Sequence, residues 1–147
     1  MASVMLVTNV LRAKGSDVVT MHADASVREL MHVLAHHGIG AVVVSARGSA
    51  IAGIVSERDV VRALNRQGES LLDAPVASIM TTEVVTCELP DHIDDVMAVM
   101  TERRIRHVPV VDGGVLVGIV SIGDMVKRRI AELEGERDDL VTYIGNR

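Results

Sequence analysis

Twice in this chain a short apolar run ends in Ser-x-x-Asp: Gly53-Ile54-Val55-Ser56-Glu57-Arg58-Asp59, and again Gly118-Ile119-Val120-Ser121-Ile122-Gly123-Asp124. Apolar residues at helical spacing follow each, Val60, Val61 and Leu64 after the first, Val126, Ile130 and Leu133 after the second. Each motif therefore stands where a strand runs into a helix N-terminus, whose unpaired N–H groups and positive dipole end favour an anion. Arg103, Arg104, Arg106 and His107 lie just before the hairpin that carries the second motif and offer positive charge to the same anion. The chemistry this suits is phosphate binding. A plainer role is open to the same residues: Ser and Asp three apart can close a local capping box, and Arg103 and Arg104 can complement the dipole of a helix end.

The elements that must position these groups follow from periodicity. Val7, Val10 and Leu11 suggest a short helix within Ser3 to Lys14, capped near Thr8 and ended by Gly15. Val18-Val19-Thr20-Met21 reads as a strand, and Val27, Leu30, Met31 and Leu34 as the buried stripe of a helix capped at Asp24 to Ser26 and stopped at Gly38. Ala41 to Val44, a loop with Gly48, and Ile51 to Val55 form a hairpin leading into the first Ser-x-x-Asp. The stretch Asn65 to Ala74 is the expected linker, and Pro75 opens a short helix over Val76, Ile79 and Met80.

From there the chain repeats itself. Val84-Val85-Thr86 matches Val18-Val19-Thr20, and Ile105, Val108 and Val110 match Ile39, Val42 and Val44, an offset of 84 − 18 = 66. After the second hairpin turn, Asp112-Gly113-Gly114, the offset becomes 118 − 53 = 65, so one residue has been lost. The lead-in segments correspond too, Val7, Val10 and Leu11 against Val76, Ile79 and Met80. Each unit is too small to close a core alone, so the pair is the expected folding unit, of mixed α/β (α+β) class.

Two β-α-β-β-α repeats, each with G-I-V-S-x-x-D at the entry to its last helix, resemble a pair of cystathionine β-synthase (CBS) domains, the arrangement called a Bateman module. The resemblance implies repeats over residues 7–67 and 76–129, packed about a pseudo-two-fold, with a helical extension over 130–147. It implies a regulatory sensor, not an enzyme, that binds an adenosine ligand in clefts between the repeats: AMP foremost, with ADP, ATP, NAD or S-adenosylmethionine as alternatives. By the same resemblance Asp59 and Asp124 hold ribose hydroxyls, Ser56 and Ser121 lie near phosphate, and Ile105, Arg106, His107 and Pro109 belong to a phosphate-contacting strand like that of the AMP-activated kinase γ subunit. Physical chemistry supports the roles. One ionised carboxylate can accept both vicinal hydroxyls of a ribose, and aliphatic strands with the loops around Thr20 and Thr86 can seat an adenine without aromatic residues.

The repeats differ where it matters. Gly40, Ala41 and Val43 stand where the second repeat has Arg106, His107 and Pro109. The second cleft, with Thr86, Ser121 and Asp124, is therefore expected to be the principal site. The first, with Thr20, Gly40, Ala41, Ser56, Arg58 and Asp59, is expected to be secondary, with Arg58 supplying charge from its helix.

Composition narrows the classes. The chain has 147 residues, no Phe or Trp, one Tyr and a formal charge of −5, so it lacks both the stacking platform and the basic footprint of a nucleic-acid binder. A single cysteine, Cys87, fits a reducing compartment and an inert core thiol. The apolar start is broken by Thr8 and Asn9, and no apolar run is long enough to span a bilayer, so neither membrane nor export is expected and the expected location is the cytoplasm. His32 and His36 stand one turn apart without the Glu of a zinc-protease motif and read as an exposed face, so no metal is expected. No nucleophile set, Walker motif or dinucleotide glycine pattern appears.

With no residues left for an attached effector, the expected action is in trans on a separate protein. After Asp124 an apolar stripe continues through Val126, Ile130, Leu133, Leu140 and Ile144, which predicts burial across the pair or against a homodimer mate.

Overall fold

The structure is a computed structural model that describes residues 5–45 and 50–145; the loop position Gly48 and the helix position Ser3 lie outside the described residues. Its elements are α1 (Val7–Lys14), β1 (Thr20–His22), α2 (Val27–His37), β2 (Ala41–Ser45), β3 (Ile51–Ser56), α3 (Glu57–Gln67), β4 (Cys87–Glu88), α4 (Ile93–Arg103), β5 (His107–Asp112), β6 (Val115–Ser121) and α5 (Ile122–Gly145). Two three-stranded sheets, β1-β2-β3 and β4-β5-β6, each combine one parallel and one antiparallel pairing.

The offsets read from the sequence reappear in the ladders. Met21 pairs with Val44 as Cys87 pairs with Val110, and Val42 with Val55 as Val108 with Val120. Even the strand irregularity recurs, between Val44 and Ser45 and between Val110 and Val111.

Local chemistry sets the boundaries. Ser26 caps α2 by accepting the Glu29 N–H at 3.1 Å, and Gly38 ends it in the left-handed region at φ 61°. Helix α1 begins one residue earlier than Thr8, because the Asn9 side chain accepts the Leu6 N–H at 2.9 Å while the Thr8 hydroxyl donates to the Leu89 carbonyl instead. The first strand of each repeat also lies later than the Val-Val-Thr pattern, starting at Thr20 and at Cys87. In α2, Val27, Leu30 and Leu34 are buried but Met31 is exposed.

The repeats exchange their lead-in segments. Val7, Val10 and Leu11 pack in a core with Cys87, Ile93, Met100, Val110 and Met125, while Leu71 and Val76 join Leu30, Val42, Val55 and Val60. The hydrogen bonds are reciprocal: Val7 N–H donates to the Asp91 carbonyl at 2.9 Å as Val76 N–H does to Ala25 at 2.7 Å. Ile93 N–H donates to Met5, and Val27 N–H to Ala74, both at 2.9 Å. Leu11 lies over Gly118, and Met80 over Gly53, so closely that an added Cβ would stand 2.8 Å from either side chain. These paired contacts are the pseudo-two-fold, and they weld the two cores into one unit.

The expected linker is not a tether. Asn65 to Gln67 continue α3, Gly68–Asp73 form a 3₁₀ turn, and Leu71 inside it is fully buried. At the other end, Arg129 ties α5 to Asp94 of α4 and to Glu132. Beyond that tie the apolar positions Ile130, Leu133, Leu140 and Ile144 are 50 to 60% exposed, so the stripe does not pack across its own pair.

Candidate functional site

Each Ser-x-x-Asp closes the capping box that its spacing allows. Asp59 Oδ2 accepts the Ser56 N–H at 2.8 Å and the Ser56 hydroxyl at 3.0 Å, while Ser56 Oγ accepts the Asp59 N–H at 3.3 Å. At α5, Asp124 Oδ2 accepts the Ser121 N–H at 2.9 Å and Ser121 Oγ accepts the Asp124 N–H at 3.1 Å. Capping uses one oxygen of each carboxylate and leaves Oδ1 without a hydrogen bond among the described residues. The cap and a ligand-binding role are therefore compatible.

A cavity of about 550 Å³ opens between the repeats, and it joins residues expected in different clefts. Gly40, Ala41, Ser56, Arg58 and Asp59 line it from the first repeat; Ile105, Arg106 and His107 line it from the second. Arg106 and His107, expected beside Asp124, thus line this cavity with Asp59; they also adjoin the second motif, where His107 pairs with Ser121 and the Arg106 carbonyl accepts the Ile122 N–H at 2.9 Å. Because the pseudo-two-fold sets the start of one repeat's hairpin against the other repeat's helix entry, the cationic strand start faces Asp59. Gly40 makes the approach fit: a Cβ there would stand 3.2 Å from the His107 imidazole.

The other expected residues lie elsewhere. Thr20 is exposed on β1 beside Val43, and Pro109 is buried in β5 opposite Ile119. Thr86 lines a separate cavity of about 210 Å³ with Cys87, Asp91 and Val108. There burial and the nearby Asp91 charge push the Cys87 thiol up to about 12, so it stays protonated. Ser121 and Asp124 remain at the start of α5, where Asp124 is held by Lys14.

The large cavity is cationic although the chain is acidic overall. Arg58, Arg62, Arg103, Arg104 and Arg106 line it against the carboxylates of Glu57, Asp59 and Glu83. All five arginines are exposed, and among the described residues none is held in an ion pair. Arg62 stands one turn after Arg58 on α3, a spacing legible in the sequence. Burial pushes the His107 imidazole below its ordinary value, helped by Lys14 and Arg106 and opposed by Glu57 and Asp124.

Arg104 is reached at a backbone cost. It caps α4 at φ 56°, ψ 42°, the left-handed region that its counterpart Gly38 adopts at φ 61°, ψ 39°. A residue with a Cβ is disfavoured there by about 1 to 2 kcal/mol. Arg104→Gly is expected to raise stability by about 1 kcal/mol in urea denaturation while removing one cavity cation; a loss of stability would show that the side chain holds the fold together instead.

Among the described residues no helix is long and apolar enough to cross a membrane. The family model described as CBS domain matches the chain twice, over residues 12–66 and 76–131. The CBS domain-containing protein CBSX3, mitochondrial, of Arabidopsis thaliana is 34% identical over 146 residues, covering 94% of this chain and 71% of its own. The crystal structure of a CBS-domain containing protein from Agrobacterium tumefaciens has a TM-score of 0.83 at 45% identity, over 85% of this chain and 99% of that one. A CBS domain protein from Pyrobaculum aerophilum, solved in complex with AMP, has a TM-score of 0.73 at 31% identity, over 82% of this chain and 89% of that one. With both repeats matched, this chain belongs to the CBS domain family, as a tandem pair.

Proposed function

We propose that this protein is a regulatory sensor of adenosine nucleotides, AMP foremost, that binds them in the cavity between its repeats and signals to a separate protein. The observation that carries the reading is the set of five arginines without ion pairs and one half-used carboxylate, Asp59, around about 550 Å³ of space. That volume lies in the range of small-molecule sites. The phosphate is received by the arginines at the start of β5 and by the entry of α3; the ribose hydroxyls by Asp59 Oδ1; the adenine by the apolar sides of Ile54, Val85 and Ile105. The AMP complex of the Pyrobaculum aerophilum relative supports the ligand class.

A ligand spanning both repeats favours whichever relative angle closes on it, and the response is limited by its difference in affinity for the two arrangements. Calorimetry with AMP, adenosine and inorganic phosphate tests the reading. AMP is expected to bind measurably tighter than either half. No binding by AMP, ADP, ATP, NAD or S-adenosylmethionine would leave an interaction module in place of a sensor.

The reading includes a homodimer in which α5 covers its counterpart, because its apolar positions beyond Arg129 are half exposed or more. Removing residues 130–147 is expected to halve the mass measured by sedimentation. A truncated chain that keeps a dimer mass would refute that role for the helix.

A further inference from the structure

The two carboxylates of the repeated motif are in different electrostatic states. Lys14, the last residue of α1, sends its ammonium to the Ile119 carbonyl at 2.8 Å and to Asp124 Oδ2 at 2.6 Å. Both acceptors belong to the second repeat, and Lys14 reaches them from the lead-in helix of the first. In the first repeat the matching carbonyl, Ile54, accepts the backbone N–H of Thr81 at 2.8 Å, and among the described residues Asp59 accepts only from Ser56. Leu11 and Met80 cover Gly118 and Gly53 as equivalents. Three residues on from them stand Lys14 and Glu83, and Glu83 lines the open cavity. The position that carries a cation against one aspartate carries an acid beside the other.

We propose that Lys14 is an internal latch: it occupies the ribose-accepting carboxylate of the second cleft, Asp124, and holds that cleft out of use, so that the ligand-free chain offers one nucleotide site and release of Lys14 creates a second. This rests on the reading of Asp59 as a ribose acceptor in the first cavity. The latch is well made. Lys14 is 32% and Asp124 26% exposed at the side chain, which limits screening of the pair. Burial acts to raise the Asp124 carboxyl, but the bonds from Lys14 and Ser121 outweigh it and hold it below its usual value, so the pair stays charged at neutral pH. Lys14 shares Oδ2 with the cap and neutralises the carboxylate, so a ribose in this cleft meets a compensated charge with only Oδ1 open unless Lys14 leaves, a loss of affinity of about tenfold.

The test is the stoichiometry of AMP binding by calorimetry, on the full chain and on Lys14→Gln, with Lys14→Glu as a second variant that copies the first cleft. Thermal melts confirm that each is folded. The wild type is expected to bind one AMP per chain, a site abolished by Asp59→Asn. Either Lys14 variant is expected to bind two, the added site being abolished by Asp124→Asn. Two sites in the wild type overturn the latch and leave the nucleotide reading standing, as does one site in wild type and both variants alike. No site in the wild type and one in a variant sustains the latch and sinks the reading of the first cavity. No site in any of them overturns both.

Discussion

Asp59→Asn and Arg106→Ala are each expected to weaken AMP binding by roughly ten- to hundredfold, and Asp124→Asn to change it by less than about threefold. The first two remove partners on opposite sides of one cavity, and a charge-assisted hydrogen bond is worth about 1.5 to 3 kcal/mol, which at room temperature is that range of affinity. Asn at position 59, the third residue of α3, still accepts the Ser56 N–H through its amide oxygen and Ser56 remains the N-cap, so the helix start is kept while the ionised ribose acceptor is lost. Asp124 is already engaged by Lys14 and is not among the residues of the cavity. A calorimetric titration of the three variants decides it. If Asp124→Asn abolishes binding and Asp59→Asn does not, the ligand belongs to the second Ser-x-x-Asp and Arg106 serves across β5 and β6.

Leu71→Ala is expected to lower stability by about 2 to 5 kcal/mol, as truncation of buried leucines does. Leu71 is fully buried against the first core, although its neighbours Glu69, Ser70 and Asp73 are exposed. For a chain of this size the loss is a fall in melting temperature of roughly 5 to 15 °C. Leu72→Ala, at a half-buried position beside it, is the internal comparison and costs less than half as much. Equal, small effects of the two substitutions would mean that Gly68–Asp73 is a tether after all, and that the first core closes without it.

The repeat and its register were legible because each rests on contacts within one β-α-β-β-α unit. A lost residue in the second turn shifts the offset from 66 to 65, and the ladder pairs Val42–Val55 and Val108–Val120 show it, spanning 55 − 42 = 13 and 120 − 108 = 12 residues. What lay between the units was not legible. Hydrophobic periodicity says which face of β5 is buried but not that its first residues, Arg106 and His107, look across to Asp59. That choice is made by the exchange of lead-in segments, through bonds such as Val7 to Asp91 and Val76 to Ala25, which join residues far apart in the chain. Leu71 was hidden for a related reason: a lone buried position in a polar stretch has no period. Lys14 gave no signal at all, since its partner stands 110 residues away and neither belongs to a motif that names the other.

The most direct measurement is a crystal structure of the protein grown with AMP. The account predicts the nucleotide in the cavity between the repeats, its phosphate within hydrogen-bonding distance of Arg106, its ribose hydroxyls on Asp59 Oδ1, and Lys14 still bound to Asp124. AMP seated on Asp124 with Lys14 displaced, and the cavity beside Asp59 empty, would contradict it.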